Sequence, residues 1–374
     1  MAPVDGTTYI VKGMNLYRLQ QKTGWTQVIF QFHRFVNMSK NLFSPIQIGA
    51  LQLTNRIFMA PLTRARAGPS HVPNDLMKEY YTQRASAGLI ITECSMIAPD
   101  TSAYIGEPGV YTEEQLKAWK DITDAVHAKG AKIAMQIWHA GRTAHPDNNG
   151  GAENVGPSAI AVEGDAHTLQ GKKPYAVPRE LTVNEIATIV EQFATAAKNA
   201  IQVAGLDGVE LHGANGYLID SFLRSSSNTR TDAYGGSIEN RTRFLSEVLQ
   251  ALQLDEGRRP IALSEHVAKI SQRFHLAYVH VVRGDMFQIQ EGNLLPVFRQ
   301  HFHNTLIGNL GYTKDEATAA IEAGQVDAVA FGSLFIANPD LPKRFELNAD
   351  LNTPDPSTFY VPGPKGYTDY PALP

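Results

Sequence analysis

Eight short apolar runs recur along the chain, at residues 56–61, 89–93, 132–138, 208–212, 261–264, 278–282, 305–309 and 328–332. Most show no polar alternation, the pattern of strands covered on both faces in a parallel sheet. Helical periodicity fills most of the gaps. Thr112 and Gln115 have capping-box spacing, and Leu116, Trp119, Ile122 and Val126 then share one face until Gly130 ends the run. Thr182 and Glu185 repeat the device before Ile186, Ile189, Val190 and Phe193, and residues 238–252 read as a third such helix. Eight strands alternating with helices predict an α/β fold of the closed (β/α)8 TIM-barrel type, whose chemistry sits at the C-terminal ends of its strands. One unit is abnormal. Between Ser264 and Ala277 the crossover has about 13 residues, near the minimum for a parallel connection. The fifth β-α unit is therefore expected to be shortened, with a stub of helix around 265–274 or none.

Composition narrows the class without changing the fold. The 374 residues are 43% hydrophobic and 19% charged, which fits a globular chain with a sizeable core. That length is large for one ordinary domain, but barrels run large as single units. A net charge of −4 leaves no basic footprint for nucleic acid. No apolar run approaches the ~20 residues of a membrane span. The single cysteine, Cys94, cannot form an intrachain disulfide and suits a reducing compartment. Residues 1–37 lack clear periodicity and the apolar core of a secretory signal. They read as an N-terminal extension, with Met38 a natural start for a single barrel over 38–374. The missing signals give a cytoplasmic expectation.

The strand ends carry the candidate chemistry. At the fourth, His212-Gly213-Ala214-Asn215-Gly216-Tyr217 places a histidine and an amide three residues apart. Two such donors aimed at one oxygen make a site for a carbonyl becoming an enolate, and Tyr217 is a candidate proton donor. A buried structural histidine would explain His212 alone, but it explains this cluster less well. Gln136, with a donor and an acceptor, reads as a ring-edge contact or as a satisfied core amide. Thr63 is a hydroxyl donor or a cap. Gly308, Gly311 and Gly332 let backbone N–H groups approach a phosphate, although glycines end many strands. Trp138, Tyr104 and Tyr360 are candidates for an aromatic pocket or for core. His139, Arg142 and His145 read as loop packing. No acid–histidine set has metal-ligand spacing, so no metal is expected.

These residues resemble the old yellow enzyme family, in particular its 12-oxophytodienoate reductase-like members. The resemblance is carried by Asn55 through Arg64, Gln136 through Arg142, His212 through Leu218, Asn228 through Arg241, Phe331 through Leu341 and Gly366 through Pro371, from about Asn41 to the C-terminus. It implies an FMN-dependent ene-reductase that takes NADPH as reductant and a small α,β-unsaturated carbonyl compound as substrate. By motif, Pro61, Thr63, Cys94 and Gln136 would contact the flavin ring, and Gly311, Gly332 and Ser333 would lie on its phosphate side. His212 and Asn215 would hold the substrate carbonyl, with Tyr104, Trp138 and Tyr360 around it, and Tyr217 would give the proton to the α-carbon. Thr63, where other branches have cysteine, resembles the branch with yeast, plant and enterobacterial members. Two positions depart from the family: Ala262 and Ser333 stand where it has arginines near the flavin ring and phosphate, so a weakened FMN affinity is expected. Three functions follow: an ene-reductase, with a role in secondary metabolism; a flavin-poor or flavin-free isomerase or cyclase acting on an enone; and an inactive remnant or damaged gene product. Oligomeric state is left open between monomer and homodimer.

Overall fold

The computed structural model describes residues 40–252, 263–283 and 293–374. Seven of the eight expected strands are present: Ile57–Met59, Leu89–Ile91, Ile133–Trp138, Gly208–Leu211, Tyr278–Val282, Thr305–Asn309 and Ala328–Phe331. All neighbours run parallel. The first strand pairs with the second on one side and with Ala328–Phe331 on the other. Joining the first and last strands curls the sheet as a TIM barrel requires. Gly208–Leu211 and Tyr278–Val282 are the outer members of the described sheet.

The strand expected at 261–264 is corrected. Ile261 and Ala262 lie outside the described residues, while Leu263 opens a helix, Leu263–Arg273. A four-residue apolar run has no period of its own, so helix and strand could not be told apart there.

Successive strand residues point to opposite faces. Ile57, Met59, Ile133, Met135 and Ile137 face outward and pack with helix residues Trp119, Ile122, Ile186 and Phe193. Phe58, Leu89, Ile91, Ala134, Ile307, Ala328 and Ala330 fill the barrel. A hairpin of Ile46–Ile48 and Leu51–Leu53 adds Ile46, Ile48 and Leu53 to that interior cluster. A third cluster, with Cys94, Met96, Trp138, Ala140 and the partly buried Tyr104 and Tyr217, sits at the C-terminal strand ends.

The expected helices form with their caps. Thr112 starts Glu113–His127 and Thr182 starts Val183–Gln202, each with a complete capping box, and Thr313 does the same for Lys314–Glu322. The helix expected over 238–252 is two, Ile238–Arg241 and Arg243–Leu252. At the break the Thr242 hydroxyl donates back to the Ile238 carbonyl. A polar hairpin of Asp165–Thr168 and Gly171–Pro174 was not anticipated, because neither strand carries an apolar run. Among the described residues no helix is long and apolar enough to cross a membrane.

Candidate active site

Strand Gly208–Leu211 ends in the six-residue cluster. Its alternation sends Val209 and Leu211 outward and Glu210 and His212 inward. The His212 N–H donates to the Ile137 carbonyl, continuing the sheet beyond the strand. The chain then turns sharply, with Asn215 at φ 61° and Gly216 at φ 80°. Asparagine is one of the few side chains that tolerate the left-handed region. Asp220 secures the turn by accepting from the Gly216 N–H at 2.7 Å, and Arg224 holds Asp220 in turn. Tyr217 then caps helix Leu218–Leu223.

His212 is neutral near pH 7. Burial lowers it to about 4, against the raising effect of Glu210. Its Nδ1 accepts from the Ala214 N–H at 3.4 Å, which leaves Nε2 as the N–H donor. The Tyr217 ring packs edge-on against both His212 (centroids 4.8 Å apart) and Trp138 (4.5 Å). Its hydroxyl lies 2.7 Å from that of Tyr104, whose ring stacks on Trp138. Burial, first of all, beside the Tyr104 hydroxyl and the Cys94 thiol pushes Tyr217 far up, and burial pushes Tyr104 up to about 12. Both phenols are therefore protonated at neutral pH.

The structure thus brings together Tyr217, His212, Trp138 and Tyr104. Thr63 Oγ1 lies 2.9 Å from Cys94 Sγ, and burial pushes that thiol up, so it stays protonated. Gln136 donates through Nε2 to Glu210 Oε1 at 2.8 Å. Gly332 heads the short helix Ser333–Ala337, and a Cβ there would come within 3.3 Å of Leu62 Cδ2, the mark of a close backbone approach. Gly311 has φ 67°. Tyr360 is 64% exposed and packs edge-on against Phe359. Asn215 is exposed, Ser333 is exposed and Pro61 is half-buried. Ala262 lies outside the described residues. His139 is buried, with Nδ1 accepting from the Gly141 N–H, and it borders a separate cavity of about 260 Å³ that none of the His212–Tyr217 residues line.

The sequence reading missed Glu210, Tyr278 and His280. Each is a polar residue inside an apolar strand, at an inward position by alternation, and that is the signal that could have found them. Two buried polar atoms at these inward positions, Trp138 Nε1 and His280 Nε2, have no hydrogen-bond partner among the described residues, while the Tyr278 hydroxyl faces the Glu210 carboxylate. Leaving such groups unpaired costs about 1–3 kcal/mol each. These orphaned polar atoms, with the Gln136 carboxamide beside them, fit a ring that carries both donors and acceptors, as a flavin does. Among the described residues no cluster of acidic, histidine or cysteine side chains could hold a metal ion.

The sequence profile of the NADH:flavin oxidoreductase / NADH oxidase family matches residues 41–262. A Leishmania infantum protein named probable flavin mononucleotide-dependent alkene reductase is 43% identical over 89% of this chain and 97% of its own. The structure of morphinone reductase in complex with tetrahydroNAD superposes with a TM-score of 0.82 at 43% identity, covering 89% of this chain and 98% of that one. The old yellow enzyme from Trypanosoma cruzi superposes with a TM-score of 0.85 at 38% identity, covering 90% and 100%. With its strand-end cluster intact and its sheet curled as theirs are, the chain belongs to the NADH:flavin oxidoreductase / NADH oxidase family, the old yellow enzyme group of flavin oxidoreductases.

Proposed function

We propose that this protein is an FMN-dependent ene-reductase that reduces the C=C bond of a small α,β-unsaturated carbonyl compound, with NADPH as reductant. The observation that carries the reading is the Tyr217 hydroxyl, protonated and hydrogen-bonded to Tyr104, beside a neutral His212 that presents Nε2–H. The likeness to an alkene reductase favours this redox role over a flavin-free isomerase or a remnant.

Thr63, Cys94, Gln136 and Pro61 would hold the flavin ring, and the backbone at Gly311, Gly332 and Ser333 the phosphate. When bound, FMN supplies hydride for the β-carbon. His212 Nε2–H and the Asn215 carboxamide donate to the substrate oxygen and offset the charge that builds there, worth roughly 3–4 kcal/mol for a good donor. Tyr217 gives its proton to the α-carbon. Trp138 and Tyr104 wall the site against water, and Tyr360, at its exposed position, borders the entrance.

Finer parts of the reading belong here too. The fifth β-α unit would be shortened on its strand side, with the 11-residue helix Leu263–Arg273 as its helix. FMN affinity is below that of relatives carrying arginine at positions 262 and 333. Residues 1–37 are an extension on a barrel of 38–374, and the enzyme is cytoplasmic, a monomer or homodimer, with a substrate from secondary metabolism.

The test is stopped-flow kinetics of the purified yellow protein with NADPH or NADH, then with cyclohexenone. Tyr217→Phe should slow enone reduction at least about 100-fold, within the range of a lost general acid, and leave flavin reduction nearly unchanged. Equal slowing of both steps removes Tyr217 from the proton-donor role. A colourless, folded protein without NADPH consumption ends the proposal.

A further inference from the structure

The described barrel interior is built around an apolar cluster. Phe58, Leu89, Ile91, Ala134, Ile307, Ala328 and Ala330 fill it, yet Glu210 and His280 face each other across it from the two outer strands of the described sheet. Glu210 Oε2 lies 3.1 Å from His280 Nδ1, and Glu210 Oε1 accepts from Gln136 Nε2 at 2.8 Å. The Glu210 and His280 side chains are only 10% and 8% exposed. Burial raises the Glu210 carboxyl, but His280 and Gln136 outweigh it and hold the group below its ordinary range. A full negative charge therefore sits inside the barrel directly behind Gln136. Tyr278 lies on the same inward face and is pushed well above its ordinary value by burial and by Glu210, so it stays a neutral donor. His212, the other inward group on the Glu210 strand, is neutral. His280 Nδ1 and Gln136 Nε2 are the two described side-chain nitrogens that donate to this carboxylate.

A buried carboxylate costs desolvation that its partners' attraction rarely repays, and an apolar pair would fill this space at less cost. The arrangement also leaves His280 Nε2 without a partner among the described residues. Both features have a use if a redox ring rests against Gln136, because charge placed near a flavin's pyrimidine edge sets how easily the ring accepts electrons. We infer that Glu210 and His280 are positioning residues for the flavin. Glu210 fixes the Gln136 carboxamide, with the oxygen left as its acceptor toward the ring, and the Glu210 carboxylate, held by the His280 hydrogen bond, sets the reduction potential from behind that amide. This rests on the FMN reading above.

The Glu210 charge opposes the negative charge that the ring gains when reduced, and the hydrogen bond from His280 offsets part of it. His280→Gln leaves Glu210 uncompensated and should make FMN harder to reduce. Glu210→Gln removes the negative charge and should make it easier. Each shift should reach at least tenfold in the reduction equilibrium, about 30 mV for a two-electron couple, and the double variant should return toward the parent. The measurement is dye-equilibrated reduction of the FMN-loaded full chain, with circular dichroism reporting folding. Either variant alone tests its own sign if the other does not fold. Opposite shifts support the inference. Shifts of the same sign, or none, in a parent protein that binds FMN overturn it and leave the proposed function standing. A parent protein that binds no FMN overturns both.

Discussion

The Tyr104 and Tyr217 hydroxyls lie 2.7 Å apart in a site where burial opposes any phenolate. In the proposed reaction Tyr217 gives up its proton, and Tyr104 would then donate to the oxygen left behind. Hydrogen bonds to charged groups contribute about 1.5–3 kcal/mol, roughly a 10- to 100-fold effect on rate. Tyr104→Phe should therefore slow enone reduction by that factor while flavin reduction by NADPH changes little. An unchanged enone step would make Tyr104 a wall of the pocket and nothing more. Two other buried groups couple residues to pH. Burial lowers His139 to about 4, and burial raises Glu93 to about 7 against hydrogen bonds from the Arg64 and Ala65 N–H groups and Tyr81. The depressed His139 contributes stability above its unfolded value near 6.5, lost as pH falls toward 4. The raised Glu93 contributes stability below about 4.5, lost as pH rises through 7. Each shift of this size corresponds to ~3 kcal/mol. As pH is lowered from 7 to 4.5, His139→Asn should gain stability relative to the parent and Glu93→Gln should lose it. Urea midpoints across that range, moving together for the two variants, would contradict the assignment.

Between residue and barrel stands the C-terminal tail. Three buried arginines tie it down through its backbone. Arg64 donates to the Phe359 and Gly366 carbonyls, Arg66 to Thr358, and Arg84 to Phe335, Ile336 and Tyr367. The Tyr80 and Tyr367 rings stack at 3.9 Å beneath the Arg84 guanidinium. Arg84→Met keeps much of the volume but strands several buried carbonyls, so about 3–5 kcal/mol should be lost in urea unfolding. A loss below about 1 kcal/mol would show that water or a rearranged tail takes over those carbonyls. The clamp also shows what the sequence hides. Continuous apolar runs made seven strands legible, and threonine–acid or threonine–glutamine spacing made the helix starts legible, because both are local patterns. Arg84 and Tyr367 are 283 positions apart, and nothing local marks them as partners. The Glu210–His280 pair was hidden differently: each lies in a run that reads as apolar, and only their inward alternation on two separated strands brings them together. At the candidate site His212 and Tyr217 were legible together from one strand end, and their rings pack 4.8 Å apart. That Tyr104 would serve as hydroxyl partner to Tyr217 was not, since those two are 113 positions apart.

At the scale of the whole molecule the question is where the barrel begins. The family profile starts at residue 41, and Lys40–Pro374 forms a compact unit. A chain starting at Met38 should therefore keep the urea midpoint, FMN content and enone reduction of the full chain. The hairpin that follows sets the limit. Ile46, Ile48 and Leu53 are 8%, 2% and 3% exposed and pack against Phe58, Leu89 and Ala328 in the barrel interior. Fully burying an aliphatic side chain contributes about 1.5–3 kcal/mol, so these three together contribute roughly 5–9 kcal/mol, comparable to the whole stability of many domains. Arg56 adds to the loss, because its guanidinium donates to the Ser44 hydroxyl and the Pro45 carbonyl, and both disappear with the hairpin. A chain starting at Thr54 should be insoluble or molten, while the chain starting at Met38 stays yellow and monodisperse in size-exclusion chromatography. Loss of FMN on removing only residues 1–37 would place part of the cofactor's support in the extension, and a well-folded chain from Thr54 would show that the hairpin is not what seals the barrel interior.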